Sequence, residues 1–184
     1  MKKIILMILA AMLLISCGAS KKQVQKPVKT YVQPGADLLN EPGTLRVWAM
    51  GTSTSEMTAK KKALTSAASQ MAQTLNSTVK TTVENYCVKL SDADAAKSKE
   101  YLSKKTSLVS EQVLVGARPV FEQWEPKDAQ GMYRCYVVLE ISAQDYMKAL
   151  NKSMTDAKAS GVDVNEGMLN EIFLQAVDSS VEVR

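Results

Sequence analysis

The sequence predicts an α+β fold: a long amphipathic helix and a second helix packed on a three-stranded antiparallel sheet, with further helices at the C-terminal end. Three observations lead there. A short apolar strand at Leu45–Met50 stops at Gly51, and an Ala- and Met-rich helical pattern runs on to Leu90. The residues from Met132 to Ser142 alternate with a period of two, as one strand of a half-buried sheet does. A second apolar run, Ala117–Trp124, precedes it across Pro126-Lys127-Asp128-Ala129-Gln130-Gly131, a hairpin-like turn.

The chain opens with Met1-Lys2-Lys3, continues through an uninterrupted apolar run from Ile4 to Ile15, and closes it with Leu14-Ile15-Ser16-Cys17. The run is too short for the roughly 20 residues a bilayer span needs, so it reads as an export signal over 1–16. Its closing four residues resemble the lipobox of bacterial lipoproteins: a branched apolar residue, a variable one, a small one, then cysteine. The resemblance implies cleavage before Cys17, acylation of that cysteine with chains such as palmitate, and a place in the bacterial cell envelope on the outer membrane. The alternative is an ordinary secretory signal with a chance cysteine.

Residues 17–43 then read as the lipidated cysteine and a flexible tether. They hold Lys21, Lys22, Lys26 and Lys29, three prolines, and no periodic apolar pattern. These lysines also explain the charge. With Lys2 and Lys3 they account for six of the 23 basic residues, and Asp37 and Glu41 for two of the 19 acidic ones, which leaves 17 of each beyond Gly43. The basic balance belongs to leader and tether, so a nucleic-acid partner is rejected; anionic lipid head groups suit the tether better.

The long helix has a start signal at Ser53-Thr54-Ser55-Glu56, which fits a capping box. Met57, Leu64, Ala68, Met71, Leu75 and Val79 fall on one stripe at 100° per residue, continued by Val83, Tyr86, Cys87 and Leu90. Thr78–Val83 is rich in β-branched residues and suits a strand too; the unbroken 3.6 period favours helix. Ser91-Asp92 can cap a second helix, with Leu102, Thr106, Val109 and Val113 on one face and Gly116 at its end. In the strand pair, Tyr133, Cys135, Val137, Leu139 and Ile141 should face the helices, with Ala117, Pro119 and Phe121 from the preceding strand; Pro119 marks that strand as an edge. Ser142 reads as an N-cap with Asp145 at the third helical position, before a helix through Tyr146, Leu150 and Met154. After a loop at Lys158–Asn165 comes an amphipathic piece with Met168, Leu169, Ile172, Phe173 and Val177, too apolar for a free tail. The folded part is thus divided into a domain over 44–155 and a C-terminal loop and helical extension over 156–184.

The strand ending at a glycine, the alanine spacing Ala59, Ala63, Ala67, the run Gln70–Leu75, Val113–Gly116, Trp124 near a turn, and Gly131–Ile141 together resemble the Lpp-twenty lipoprotein family, related to the N-terminal domain of flagellar assembly protein T. The likeness covers roughly Leu45–Leu150. It implies a dodecin-like two-layer arrangement and supplies no active-site residues.

Chemistry is constrained mainly by what is missing. The chain has no histidine, which removes Ser-His-Asp and Cys-His catalysis and the commonest zinc sites in their usual forms. No Gly-rich phosphate loop occurs. Acidic pairs such as Asp92 with Asp94 and Glu122 with Glu125 read as solvated surface, so no catalytic residue, metal or cofactor is assigned. Cys87 and Cys135 read as unpaired buried thiols, because a helix starting near Ser53 carries Cys87 well past the sheet. The outward sheet face is expected to carry Arg46, Trp48, Arg118, Val120, Glu122, Trp124, Arg134, Tyr136, Val138 and Glu140. It is either a solvated face of Arg–Glu pairs or an interaction face, with Trp48, Arg118, Trp124, Arg134 and Tyr136 as its contact residues.

The function expected is that of a non-enzymatic envelope lipoprotein presenting a protein-interaction surface, held on the membrane by its lipid anchor. Its partner would be an envelope protein, the cell wall or a second copy. The alternative is a small-molecule or lipid carrier using a cavity between helices and sheet.

Overall fold

The computed structural model describes residues 33–182, which belong to one compact unit. The leader over 1–16, Cys17 and the tether as far as residue 32 lie outside the described residues. Among the described residues the order is a 3₁₀ turn at Ala36–Leu39, β1 (Thr44–Ser53), α1 (Glu56–Val88), α2 (Asp92–Val115), β2 (Arg118–Glu125), β3 (Tyr133–Ser142), α3 (Ala143–Ser153), a 3₁₀ turn at Lys158–Ser160, and α4 (Glu166–Glu182). The fold is α+β. The three strands form one antiparallel sheet in the order β1-β3-β2, so β1 and β2 are edges and β3 is central.

The α1 helix is one unbroken rod of 33 residues, including Thr78–Val83. Thr78 and Thr82 keep the helical path by donating their hydroxyls to the carbonyls of Thr74 and Thr78, at 3.0 and 2.8 Å. Two details of its start differ from expectation. The helix begins at Glu56 with Ser55 as N-cap, and Ser53 remains in β1, where its hydroxyl accepts the Ser55 N–H at 3.3 Å. The stripe is also rotated in the first three turns. Ala59, Ala63 and Ala67 are buried, whereas Met57 is 82% exposed and Ala68 lies on the outside. Close packing is the cause. The strand runs on through Gly51, and a β-carbon there would meet the Ala59 carbonyl oxygen at 2.1 Å and the Ala63 nitrogen at 2.5 Å. Only small residues fit where helix and strand approach so closely. Farther along, Met71, Leu75, Val79, Val83, Tyr86 and Cys87 are buried as expected.

In β3 the alternation holds. Its register pairs Leu45 with Ile141, Val47 with Leu139 and Ala49 with Val137, all facing the helices. In β2 it does not. A bulge between Pro119 and Phe121 shifts the register, so that Phe121 pairs with Val138, Glu122 with Val137 and Trp124 with Cys135. One extra residue turns every later side chain over. Phe121, expected inward, therefore shares the outer face with Tyr136 and Val138. Glu122 and Trp124, expected outward, share the helix side, and Val120 sits in the bulge.

The amphipathic α2 packs against α1 and α3 through Leu102, Thr106, Val109 and Ser110. In α3, Ser142 is the N-cap, its hydroxyl accepting the Asp145 N–H at 3.3 Å. The α4 helix is no separate extension: Leu169, Ile172, Phe173 and Val177 are part of the same core, packed on α1, α3 and β1. Phe173 stacks on Tyr146 with ring centroids 4.8 Å apart, and the Asn165 N–H before α4 donates to the Tyr86 hydroxyl of α1 at 2.8 Å.

Candidate interaction face and the segment that covers it

The outer sheet face is built by β1 residues Arg46, Trp48, Met50 and Thr52, by β3 residues Arg134, Tyr136, Val138 and Glu140, and by β2 residues Arg118, Phe121, Gln123 and Glu125. Its middle is not open. Tyr136 is 1% exposed and Val138 is fully buried, although both lie on the side away from the helices. The cover is residues 33–40, which the sequence assigns to the tether. The Trp48 indole N–H donates to the Pro34 carbonyl at 2.8 Å. An Arg46 guanidinium N–H donates to the Leu38 carbonyl at 2.7 Å. Gly35, at φ 80°, lies on the Phe121 ring, so closely that a β-carbon would come within 2.8 Å of it. Beneath the cover, the Trp48 and Tyr136 rings lie 5.9 Å apart.

One carboxylate anchors this layer. Glu140 is 5% exposed and stands between two guanidiniums. One oxygen accepts from Arg46 Nε at 2.8 Å, the other from an Arg118 terminal nitrogen at 2.7 Å. Burial alone would push the Glu140 carboxyl up; the hydrogen bonds and charges of Arg118 and Arg46 outweigh it and hold the group below the usual carboxylate range. The same Arg46 reaches the Leu38 carbonyl, so Glu140 holds the covering segment through one intermediary. A carboxylate so paired is an anchor and a poor proton acceptor.

The five residues expected to form one contact surface are divided by the structure. Tyr136 is buried and Trp48 half-buried under residues 33–40. Arg118 keeps much of its side chain in solvent at the sheet edge while gripping Glu140. Arg134 pairs with Glu125 at 3.2 Å and Asp128 at 2.9 Å beside the hairpin turn. Trp124 lies on the opposite side, 37% exposed, its indole N–H donating to Glu122 at 3.0 Å. Glu122 in turn pairs with Lys60 of α1 at 2.7 Å, and chiefly that hydrogen bond lowers its pKa. At the β2 edge Arg118, Val120 and Trp124 are exposed to solvent.

Elsewhere the chemistry is quiet. Cys87 and Cys135 are free and buried, and burial pushes both thiols up, away from the nucleophilic thiolate. Among the described residues no group of three or more metal-ligating side chains converges, and no helix is long and apolar enough to cross a membrane. A groove of about 520 Å³ lies open between α1 and α2 and is lined mainly by polar residues, among them Lys80, Glu84, Lys99 and Ser107.

Sequence reasoning missed Pro34, Gly35 and Leu38, because they contribute main-chain carbonyls and a missing side chain rather than a pattern. The Pro34-Gly35 dipeptide followed by Leu38-Leu39 was the available signal: a turn and an apolar pair inside a polar stretch. No family model matches the chain, and no curated protein or solved structure matches it.

Proposed function

We propose that the protein is a non-enzymatic lipoprotein of the bacterial cell envelope, acylated at Cys17, whose domain presents a protein-interaction surface beside the outer membrane. The observation that carries the reading is the order of the leader: two lysines, an apolar run of signal length, then Leu14-Ile15-Ser16-Cys17. Several acyl chains at about 0.8 kcal/mol per buried CH₂ hold such a domain firmly on a bilayer. The family likeness to Lpp-twenty lipoproteins and the dodecin-like two-layer arrangement belong to the same proposal. Its contact surface is the β2 edge, where Arg118, Val120 and Trp124 are in solvent on a strand with one unpaired side. The partner is another envelope protein or the cell wall.

The carrier alternative needs room between α1 and the sheet. Ala59, Ala63, Ala67, Met71 and Leu75 fill that space, each with no exposed surface, which favours the interaction reading. Growth with labelled palmitate tests the anchor: the label and the membrane-bound fraction should both be lost in Cys17→Ser, and an unlabelled wild-type chain would end the proposal. A photo-cross-linker at position 124 should give adducts in intact cells while one at position 136 gives none; the reverse pattern would remove β2 as the contact edge.

A further inference from the structure

The α1 and α2 helices are joined by residues 89–91 alone, so they run antiparallel, and the groove between them is ordered along its length. Glu84 and Lys99 stand at the end beside the connection, Lys80 follows, and Asn76 and Ser107 are at the far end. Val79 and Val83, both buried, form the floor. The volume of about 520 Å³ falls within the range of small-molecule sites, about 300–1,000 Å³. None of the five polar side chains makes a hydrogen bond or an ion pair with another described residue. Lys80 and Glu84 are one turn apart in the less favourable order for pairing, lysine first, and stay unpaired.

We infer that this groove binds the end of a short peptide whose last residue carries both a free carboxylate and an amine. The charges select for both. A plain dianion would meet Glu84, and a plain diamine would meet Lys80 and Lys99. A residue with one carboxylate and one amine satisfies the two lysines and the glutamate together. At the far end the Asn76 amide and the Ser107 hydroxyl each donate and accept, which suits the N–H and C=O groups of a peptide chain. Length points the same way. Asn76 and Glu84 are separated by eight positions on α1, about 12 Å along the axis, which three or four extended residues span. Peptides of the cell wall that end in a diamino acid have this chemistry, and so do free peptides that end in lysine. Binding of this kind requires neither acylation at Cys17 nor the β2 edge, and the test contains no membrane.

Nuclear magnetic resonance of the isotope-labelled full-length chain reads the site directly. The probe is acetyl-Ala-Ala-Lys with a free carboxylate. It should shift the Asn76 and Ser107 signals saturably, with half-saturation below about millimolar. The same peptide acetylated on its lysine, or amidated at its carboxylate, should bind at least about tenfold more weakly. Glu84→Gln should abolish the preference for the free amine and keep that for the free carboxylate. Lys80→Gln combined with Lys99→Gln should do the reverse. All three positions are exposed, so circular dichroism should be unchanged. A disaccharide-peptide released from cell walls, ending in a diamino acid, separates the two sources: tighter binding than the probe assigns the wall, and no gain assigns a free peptide. Shifts that fail to saturate, or that map to β2 or the outer sheet face, overturn the site. Equal binding of the three probe peptides by wild type overturns the ligand class.

Discussion

Gly51 is the residue on which the approach of α1 to β1 depends. Replacing it by alanine puts a methyl group into the Ala59 carbonyl and the Ala63 nitrogen, backbone atoms that cannot turn aside. Gly51→Ala should cost about 2–3 kcal/mol in urea unfolding, while Gly116→Ala, whose nearest neighbour would be 3.4 Å away, should cost well under 1 kcal/mol. Equal effects would mean that helix and strand are not in that contact. Glu140 is the corresponding polar residue. Glu140→Gln leaves Arg46 and Arg118 without their shared carboxylate and should lose about 3 kcal/mol. Its pH dependence has a definite sign. The folded-state pKa lies below the unfolded value, so the stabilisation is complete above about pH 4.3 and is lost as pH falls through the folded value. Wild type should therefore lose stability over that acid window more steeply than Glu140→Gln; parallel profiles would contradict the pairing. The sequence reads this glycine as the end of the strand, but β1 runs on through it to Ser53. That it is a contact point was not legible there, because a β-carbon's neighbours are set by tertiary approach.

At the scale of elements, how well each could be foreseen follows from how regular it is. The β3 strand was legible because Tyr133, Cys135, Val137, Leu139 and Ile141 keep a strict period of two, and its turn into α3 because Ser142 and Asp145 carry the cap chemistry in their side chains. Ser142→Ala should cost about 1 kcal/mol, read as a lower thermal midpoint with an unchanged unfolding transition shape. The β2 strand was half legible. Pro119 marked the edge, but the bulge at Val120 has no residue signature of its own, and it reverses the face of Glu122 and Trp124. Trp124→Ala should thus perturb the Lys60–Glu122 pair and leave residues 33–40 in place, whereas Trp48→Ala should loosen them. Limited proteolysis between residues 33 and 43 distinguishes the two: the second variant should be cut faster there, the first no faster than wild type. In α1 the apolar period was read correctly as helix, and its phase was wrong over the first turns because alanine spaced by four looks weakly apolar beside Met57.

For the molecule as a whole, the sheet has two covered sides. The α1 helix closes one, with α2, α3 and α4 around it; residues 33–40 close the middle of the other. The C-terminal helix is part of the core, so Phe173→Ala should remove about 3–5 kcal/mol from the single unfolding transition. A separate early transition of α4 would mean that it docks as an appendage. Residues 33–40 are the less expected cover, since they were assigned to the tether. The sharpest test uses the two tryptophans. In a Trp124→Phe chain Trp48 is the only indole. Acrylamide quenching of its emission should be well below that of a solvent-exposed tryptophan, and should rise when Gly35→Val frees residues 33–40 from the face. Quenching of Trp48 in the native chain as efficient as that of free indole would show an uncovered face and contradict the account.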